Sequence, residues 1–376
     1  MTTYRVGRLV TPDDVLENAW IQVVDEDIRA FGRRADGMPA DGKRPEDLGD
    51  VTVVPGFVDI HTHGGGGSTY STTDPEEARK VAAFHAKHGT TTTLASLVTS
   101  PLDDLVSQTA CLAELIEDGV IAGVHLEGPF LSEARCGAHE PTLLRPPLKD
   151  DVAKVLSDAV KMVTIAPELE NGLEAIRQVV DAGAIAALGH TDATYEQMIA
   201  GADAGARVAT HLFNGMRPFH HRDPGPVGAA LNDERLLLEV INDGLHVNPQ
   251  VVRVALAAAG VNRIALITDA MEATGMPDGR YKLGGLEVDV KEGLVTLAHG
   301  KHSIAGSTLT MDVAYANAVR AGVWLVDASR MASTTPAQTF GWYDVGSIEV
   351  GKRADLVLLD DAYAVQKVMR AGSWLD

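Results

Sequence analysis

Cysteine is scarce in this sequence of 376 residues, in which only Cys111 and Cys136 occur. Two cysteines are too few for a disulfide scaffold, and a reducing cytoplasm is the simplest location for such a chain. Long apolar runs are also missing, so we expect no membrane span. The opening residues, MTTYRVGRLV, lack the basic and then apolar pattern of a secretory signal. We therefore expect a cytoplasmic protein.

Positive charge is in short supply as well. Lys and Arg total 32 against 52 Asp and Glu, a formal net charge of −20. General nucleic-acid binding needs a basic face, so this balance argues against it. An anionic small ligand stays open, because a few local donors can outweigh a distant net charge. With 45% apolar and 22% charged residues the chain is globular, and its length suits one large domain and a smaller one.

Most of the sequence alternates short apolar strands with longer helical segments. This alternation predicts a parallel sheet with helices outside it, and eight strands favour a closed (β/α)8 TIM-type barrel over residues 53–335. The predicted strands fall within residues 51–60, 90–96, 120–127, 162–168, 184–190, 207–213, 236–243 and 263–270.

Both chain termini have strand character. Residues 1–52 show short strands separated by turn signals, and residues 336–376 return to the same pattern. We predict that the two segments form one small β-sandwich domain. Residues 279–305 predict a β-rich insertion after the eighth barrel strand.

Histidines and acids stand at the ends of several predicted strands. Barrel enzymes carry their chemistry at the C-terminal ends of the strands, and strand residues of equal parity share one face. His61 and His63, in the segment FVDIHTH, can therefore point together into the barrel mouth. The residues at these strand ends are His61, His63, Glu127, His190, His211 and Asp269.

Such a set of ligands predicts a metal site. Imidazole and carboxylate without thiolate suit zinc or another divalent first-row metal. One ion could bind His61, His63 and Glu127 and a second could share Glu127 with His190 and His211; a single ion on the latter three is the alternative. Lys161, the lysine of strand four, lies at the wrong end to bridge, so Glu127 would have to do so. The glycines at 64–67 would let backbone and substrate approach the metal, or form only a flexible loop.

Longer motifs carry a resemblance. The segments PGFVDIHTHG, GVHLEGPFLSEARCGAHEP, LGHTDATYEQ, ATHLFNGMRPFHHRDPG, INDGLHV, LITDAMEATG and SIAGSTLTM together resemble the N-acetylglucosamine-6-phosphate deacetylases of the amidohydrolase superfamily. The match covers essentially the whole chain. His-x-His alone is typical of the superfamily, whereas HLEGPF with GAHEP and HLFNGM is specific to these deacetylases.

The resemblance implies roles for individual residues. Glu127, His190 and His211 match the principal metal ligands, and Asp269 matches the catalytic aspartate. Arg222 matches an arginine that reaches the phosphate from the neighbouring subunit, which implies a homodimer. The positions that match substrate contacts are Ala138, His139, Asn214, Gly215, Asp243, Gly244, Leu245, His246, Ile304, Ala305 and Gly306.

These residues permit amide hydrolysis, and the resemblance implies that the substrate is N-acetylglucosamine 6-phosphate, converted to glucosamine 6-phosphate and acetate in amino-sugar catabolism or cell-wall recycling. Metal-bound hydroxide would attack the acetamide carbonyl. His139 would donate a hydrogen bond to the carbonyl oxygen, an effect of about 3 kcal/mol when well placed. Asp269 would act as general base and then general acid, unless it serves only as a further ligand. Arg222 offers a planar fork that matches phosphate oxygens.

Two other readings stay open. The same metal chemistry could act on another N-acyl amino sugar or on a cyclic amide, although the lack of a strand-four lysine counts against the cyclic amide. A non-catalytic scaffold is the alternative of a different class. Cys136, three residues before His139, is either a regulatory thiol that gates the site or a small loop residue.

Overall fold

The computed structural model of the chain describes residues 1–39, 44–300 and 303–375. Residues 40–43, 301–302 and 376, which belong to the predicted small domain and to the predicted insertion, lie outside the described residues. The chain divides into two compact units, one made of Met1–Asp59, His85–Thr92 and the C-terminal residues from Thr310, the other of Ile60–Phe84 and Thr93–Leu309. The domain boundaries at 52/53 and 335/336 stay a prediction.

The N-terminal residues form part of a mixed sheet. Its strands here are β1 (Thr2–Val10), β2 (Val15–Val24), β3 (Asp27–Arg33), β4 (Glu46–Asp47) and β5 (Thr52–Pro55). β1 pairs antiparallel with β2 and parallel with β5, and β2 pairs antiparallel with β3. The turn between β2 and β3 places Asp25 at a φ of 53°, a left-handed conformation that Asp tolerates.

The central sheet is an eight-stranded parallel barrel, as predicted. Its strands are β6 (Phe57–Thr62), β9 (Thr90–Val98), β10 (Gly123–Glu127), β11 (Val160–Ile165), β12 (Ile185–Leu188), β13 (Val208–Ala209), β14 (Leu237–Ile241) and β15 (Ile264–Ile267), paired in chain order. A two-stranded ribbon, β7 (Gly64–Gly65) and β8 (Ser68–Thr69), follows β6. Because all eight strands run parallel, their C-terminal ends form one rim.

The first predicted strand, residues 51–60, is in fact two strands. It breaks at Gly56, with β5 in the terminal sheet and β6 in the barrel. The amide of Gly56 donates to the carbonyl of Asp355, and a Cβ at this position would collide with Thr91. The apolar character of the segment hid the break, because both halves are fully buried.

The described part of the chain contains ten α-helices beside the strands. They are α1 (Pro75–Lys87), α2 (Leu102–Glu117), α3 (Lys149–Val155), α4 (Gly172–Asp181), α5 (Tyr195–Asp203), α6 (Gly225–Asn232), α7 (Pro249–Ala259), α8 (Met311–Arg320), α9 (Leu325–Ser329) and α10 (Thr335–Thr339). Within the described ranges, none of them combines the length and the apolar character that a membrane span requires.

Helix α6 was not predicted from the sequence. Its opening residues, GPVG, contain the two residue types with the lowest helix propensity, which masks the helical signal. The Arg263 guanidinium holds its C-terminal end from outside the helix: Nη1 donates to the Ala230 carbonyl at 3.1 Å and Nη2 to the Leu231 carbonyl at 2.6 Å. A distant cation thus satisfies carbonyls that the helix itself leaves without donors.

The predicted β-rich insertion forms a three-stranded antiparallel sheet of β16 (Gly279–Leu283), β17 (Leu286–Lys291) and β18 (Leu294–Leu297). Its inner side chains share an apolar cluster with Val98, at the end of β9, and with Met271, after β15. The insertion is therefore packed against the barrel rim.

The C-terminal strands belong to the same mixed sheet as β1–β5. They are β19 (Leu356–Leu359), β20 (Val365–Arg370) and β21 (Ser373–Trp374). β19 pairs antiparallel with β5, so strands from both chain termini form one separate sheet, as the sequence predicts. Its buried core includes Leu9, Ile21, Val53, Leu356 and Met369.

Candidate active site

The rim of the barrel collects the predicted histidines and acids. Glu127 is the last residue of β10, whereas His190, His211 and Asp269 each stand two residues beyond a strand. These three have positive φ values of 46°, 27° and 50°. A left-handed non-glycine residue costs about 1–3 kcal/mol, and such strain is concentrated at functional sites. Here it occurs at three equivalent positions on one rim.

Glu127, His190 and His211 form the first cluster, with ligand atoms within 4.8 Å of one another. Oε1 of Glu127 lies 3.2 Å from Nε2 of His190 and 2.9 Å from Nε2 of His211. The two Nε2 atoms are 2.9 Å apart. The three side chains are thus close enough to share one ion.

His61, His63 and Asp269 form a second cluster of the same kind. The two Nε2 atoms are 3.1 Å apart, and Oδ1 of Asp269 is 3.2 Å from that of His63. Glu127 lies between the clusters: Oε2 is 3.2 Å from Nε2 of His63, and Oε1 is 3.5 Å from Nε2 of His61. A bridging role for this carboxylate is therefore geometrically available.

All four clustered histidines use Nδ1 for a hydrogen bond outside the clusters. The pairs are His190 with the Arg135 carbonyl at 2.8 Å, His211 with the Asn214 carbonyl at 3.1 Å, His63 with the Ser96 carbonyl at 3.1 Å and His61 with Oε2 of Glu239 at 3.0 Å. Carbonyl and carboxylate oxygens only accept, so Nδ1 carries a proton in each ring. Nε2, the atom that faces the cluster, is then the one available to bind an ion, as in histidine metal sites.

His139 has the opposite tautomer. The Thr99 backbone N–H donates to its Nδ1 at 3.4 Å, and the Thr99 hydroxyl is 2.8 Å from the same atom. Nε2 therefore carries the proton and lies 3.4 Å from Oε2 of Glu127. This ring offers a donor beside the clusters, whereas each of the four others offers an acceptor at Nε2 when the ring is neutral.

His125 is buried beneath the rim and has no nitrogen left for a ligand. Its Nδ1 is 2.9 Å from the Ser96 hydroxyl and its Nε2 is 2.8 Å from the Thr164 hydroxyl. Burial, with the positive charge of His61, lowers its pKa well below the ordinary value. It supports the ring of His61, whose centroid is 4.5 Å away.

Buried negative charge dominates the rim. Burial opposes ionisation of Glu127, yet His61 and hydrogen bonds from the other rings hold its pKa well below the ordinary value. Burial alone would lower the pKa of His63, but hydrogen bonds to Asp269 and Glu127 raise it to about 9. Burial and the nearby His139 lower the pKa of His190 to about 4. Protons thus supply positive charge that a divalent ion can replace.

Metal binding is therefore expected to release protons. A proton on His63, whose pKa is about 9, must leave before Nε2 can bind an ion, so affinity should rise with pH below that value. We expect an increase of at least about tenfold per pH unit between about pH 6 and pH 8. Zn²⁺ titration against a competing chromophoric chelator measures it, and His221→Gln, which removes an exposed histidine, is the control. An affinity that does not change with pH would contradict this ligand set.

Glu239 on β14 belongs to the site although no motif indicated it. Its side chain is fully buried and accepts hydrogen bonds from the His61 ring and from the backbone N–H of His211 at 3.1 Å. The signal available in the sequence was a single acid within the apolar run LLLEVI. A lone buried acid needs a partner, and this one has two at the rim.

A cavity of about 740 Å³ opens above the clusters. Leu283, Leu286 and Leu297 of the insertion form part of its wall, and Arg135, which was not predicted, also lines it. The predicted site residues in the lining are His63, Glu127, Cys136, Ala138, His139, His190, His211, Asn214, Gly215, His246, Asp269, Ile304 and Gly306.

Other predicted substrate positions lie outside that lining, as far as the described residues go. They are Arg222, Asp243, Gly244, Leu245 and Ala305. The carboxylate of Asp243 lies 2.6 Å from Nδ1 of His246, which does line the cavity. Arg222 is exposed on the loop after β13, where its backbone N–H donates to His220.

Comparison with known proteins identifies the family. The model of the amidohydrolase family matches residues 52–375. This chain belongs to the amidohydrolase family. The N-acetylglucosamine-6-phosphate deacetylase of Vibrio furnissii is 39% identical over 88% of this chain and 86% of its own length. The N-acetylgalactosamine-6-phosphate deacetylase of Escherichia coli O157:H7 is 38% identical over 98% of this chain and 97% of its own.

Solved structures agree with the fold of this amidohydrolase. The N-acetyl-D-glucosamine-6-phosphate deacetylase of Mycobacterium smegmatis, as a mutant in complex with N-acetyl-D-glucosamine-6-phosphate, matches with a TM-score of 0.95 and 44% identity, covering 99% of this chain and 98% of that one. The deacetylase of Thermotoga maritima matches with a TM-score of 0.88 and 30% identity, covering 98% and 97%. The resemblance and the enzyme class predicted from the sequence are confirmed.

Proposed function

We propose that this amidohydrolase hydrolyses the acetamide of N-acetylglucosamine 6-phosphate to give glucosamine 6-phosphate and acetate. One observation carries the proposal: four imidazole Nε2 atoms and two carboxylates converge at the floor of a sugar-sized cavity. The near full-length similarity to deacetylases of this sugar phosphate adds the substrate class.

The ligand set fits a divalent ion, with zinc as the expected metal and one or two ions per chain. Glu127, His190 and His211 would hold one, and His61, His63 and Asp269 with Glu127 would hold the other. When bound, such an ion polarises a carbonyl and lowers the pKa of water toward 7. The protein contributes the orientation of each ring through its Nδ1 hydrogen bond.

Asp269 would carry out the proton transfer. Burial would raise the pKa of its carboxyl, but hydrogen bonding by His63 and the charge of His61 lower it, so the group is ionised and can accept a proton. Asp269 also lines the cavity, where the departing amine would lie. It can therefore take a proton from water and return it to the amine.

His139 would donate from Nε2 to the acetamide oxygen. Thr99 fixes the tautomer that this role requires. The hydrogen bond from such a donor strengthens as negative charge develops on the oxygen. It therefore stabilises the transition state more than the substrate.

Recognition of the phosphate is assigned to His246, oriented by Asp243, and to Arg222 of a partner subunit in a homodimer. Arg222→Ala should raise KM for the phosphorylated sugar about 10- to 100-fold and change KM for N-acetylglucosamine little, since a charged hydrogen bond contributes about 1.5–3 kcal/mol. Arg222→Lys, which keeps the charge without the fork, should give an intermediate KM. An equal increase in KM for both sugars would show that Arg222 does not bind the phosphate.

Mixed dimers test whether Arg222 acts across the interface. Coexpressed Arg222→Ala and Asp269→Asn chains should recover activity, because one site then has its own Asp269 and the partner's arginine. Dimers made of either variant alone should have low activity. Failure of the mixed dimer to exceed both parents would place Arg222 in its own subunit's site.

A second candidate substrate is N-acetylgalactosamine 6-phosphate, which the relative from Escherichia coli O157:H7 favours. The two sugars differ only in the configuration at C4. Acetate release should be measured with both phosphorylated epimers and with unphosphorylated N-acetylglucosamine, before and after chelation and after addition of Zn²⁺. We expect metal-dependent release, fastest from the glucosamine epimer. Preference for the galactosamine epimer would select the second candidate, and no release from either would reject both.

Two further assignments stay predictions. Cys136 lines the cavity and forms no disulfide within the described residues, which is compatible with the predicted gating role. The cytoplasmic location rests on composition alone.

A further inference from the structure

Glu239 makes a hydrogen bond to one histidine of each cluster. It lies on β14, flanked by the apolar Leu238 and Val240, and is completely buried. Its Oε2 accepts from Nδ1 of His61 at 3.0 Å and from the backbone N–H of His211 at 3.1 Å. One oxygen thus holds the ring of a second-cluster histidine and the main chain of a first-cluster histidine.

Stability alone does not explain a carboxylate at this position. Its other oxygen, Oε1, makes no hydrogen bond within the described part of the chain. Removing a carboxylate from water is unfavourable unless its hydrogen bonds are replaced, and apolar residues of similar size often fit buried positions at lower free energy. A carboxylate placed where an apolar side chain would be more stable points to a functional role.

His61 depends on Glu239 in a way that the other clustered histidines do not depend on any side chain. His63, His190 and His211 donate Nδ1–H to backbone carbonyls, which no substitution removes. The Nδ1 acceptor of His61 is a side chain on another strand. Without it, the proton can move to Nε2, the atom that faces His63 at 3.1 Å and Asp269 at 3.5 Å.

We propose that Glu239 is a positioning residue that determines whether the second cluster binds an ion. The hydrogen bond to its carboxylate keeps the proton of His61 on Nδ1, so that Nε2 is free to bind an ion. The histidines of the first cluster do not need Glu239 for this, because backbone carbonyls hold their rings. The inference rests on the proposed metal centre and deepens it, because it assigns the choice between one and two ions to a residue outside both clusters.

The test uses two variants of Glu239 and a matched control. Glu239→Leu removes the acceptor, Glu239→Gln keeps an acceptor oxygen of the same reach, and Tyr315→Phe removes a buried hydrogen bond to Ser329, neither of which belongs to a cluster. Chelator-stripped full-length protein is titrated with Zn²⁺ against a chromophoric competitor. The number of ions per chain, the affinities and the melting temperature of the stripped protein are recorded.

We expect the wild type and Tyr315→Phe to bind two ions. Glu239→Leu should weaken the second ion about 10- to 100-fold, the range for residues that orient metal ligands, and leave the first within a few-fold. Glu239→Gln should stay closer to wild type than Glu239→Leu. Unchanged affinity for both ions in folded Glu239→Leu would overturn the proposal, as would equal loss at both sites with a lower melting temperature, which indicates a structural role. A wild type that binds no ion would instead reject the metal centre itself.

Discussion

Asp269→Asn is expected to reduce turnover by about 10²- to 10⁴-fold while the first-cluster ion stays bound. Asparagine keeps the shape and one oxygen of the side chain, so the cavity and the neighbouring rings change little. It cannot accept a proton and return it to the amine, which is the role assigned to this residue. Initial rates of acetate release and zinc per chain, measured on one preparation, check both parts.

The control for that variant is Asp233→Asn, which neutralises an acid paired with Arg235 outside the clusters. It should retain wild-type turnover. Asp269→Asn protein that turns over at the wild-type rate would remove the residue from proton transfer. Loss of the first-cluster ion together with activity would instead make Asp269 essential to metal binding.

Glu127→Gln is expected to abolish activity and to weaken ion binding at both clusters. Glu127 is the central anion, with five imidazole rings within 3.5 Å of its oxygens: His61, His63, His139, His190 and His211. Removing one partner of a buried charge pair typically costs about 3–5 kcal/mol, which corresponds to at least about a hundredfold in affinity. Zn²⁺ titration of stripped protein measures this loss.

A cavity-lining acid provides the comparison. Glu133→Gln changes a carboxylate that lines the cavity but belongs to neither cluster found among the described residues, and it should keep both ions. Loss of only one ion in Glu127→Gln would restrict the carboxylate to a single cluster. Unaltered binding of both ions would show that it is not a ligand.

The barrel and its rim could be read from local sequence. The strands β6, β10, β12, β13 and β15 each end at, or within two residues of, a histidine or an acid, and equal parity on β6 brings His61 and His63 to one side. The short strands and turn signals of residues 1–52 and the return to strand character in residues 336–376 predicted the shared sheet. These features depend on periodicity and on residue type, which a single chain displays directly.

Features that depend on contacts between distant residues could not be read in this way. The tautomer of His139 is set by Thr99, and helix α6 is held by Arg263. Glu239 lies on a strand whose apolar neighbours made it look like one more core segment. In each case the deciding partners are at least 28 residues away, and nothing in the local pattern specifies them.

Anomalous diffraction at the zinc absorption edge, from crystals of protein grown with zinc, tests the central claim most directly. The account predicts one peak at about 2.0–2.2 Å from Nε2 of His190, Nε2 of His211 and an oxygen of Glu127, and a second between His61, His63 and Asp269. Protein that releases acetate but shows no peak at either cluster would contradict it.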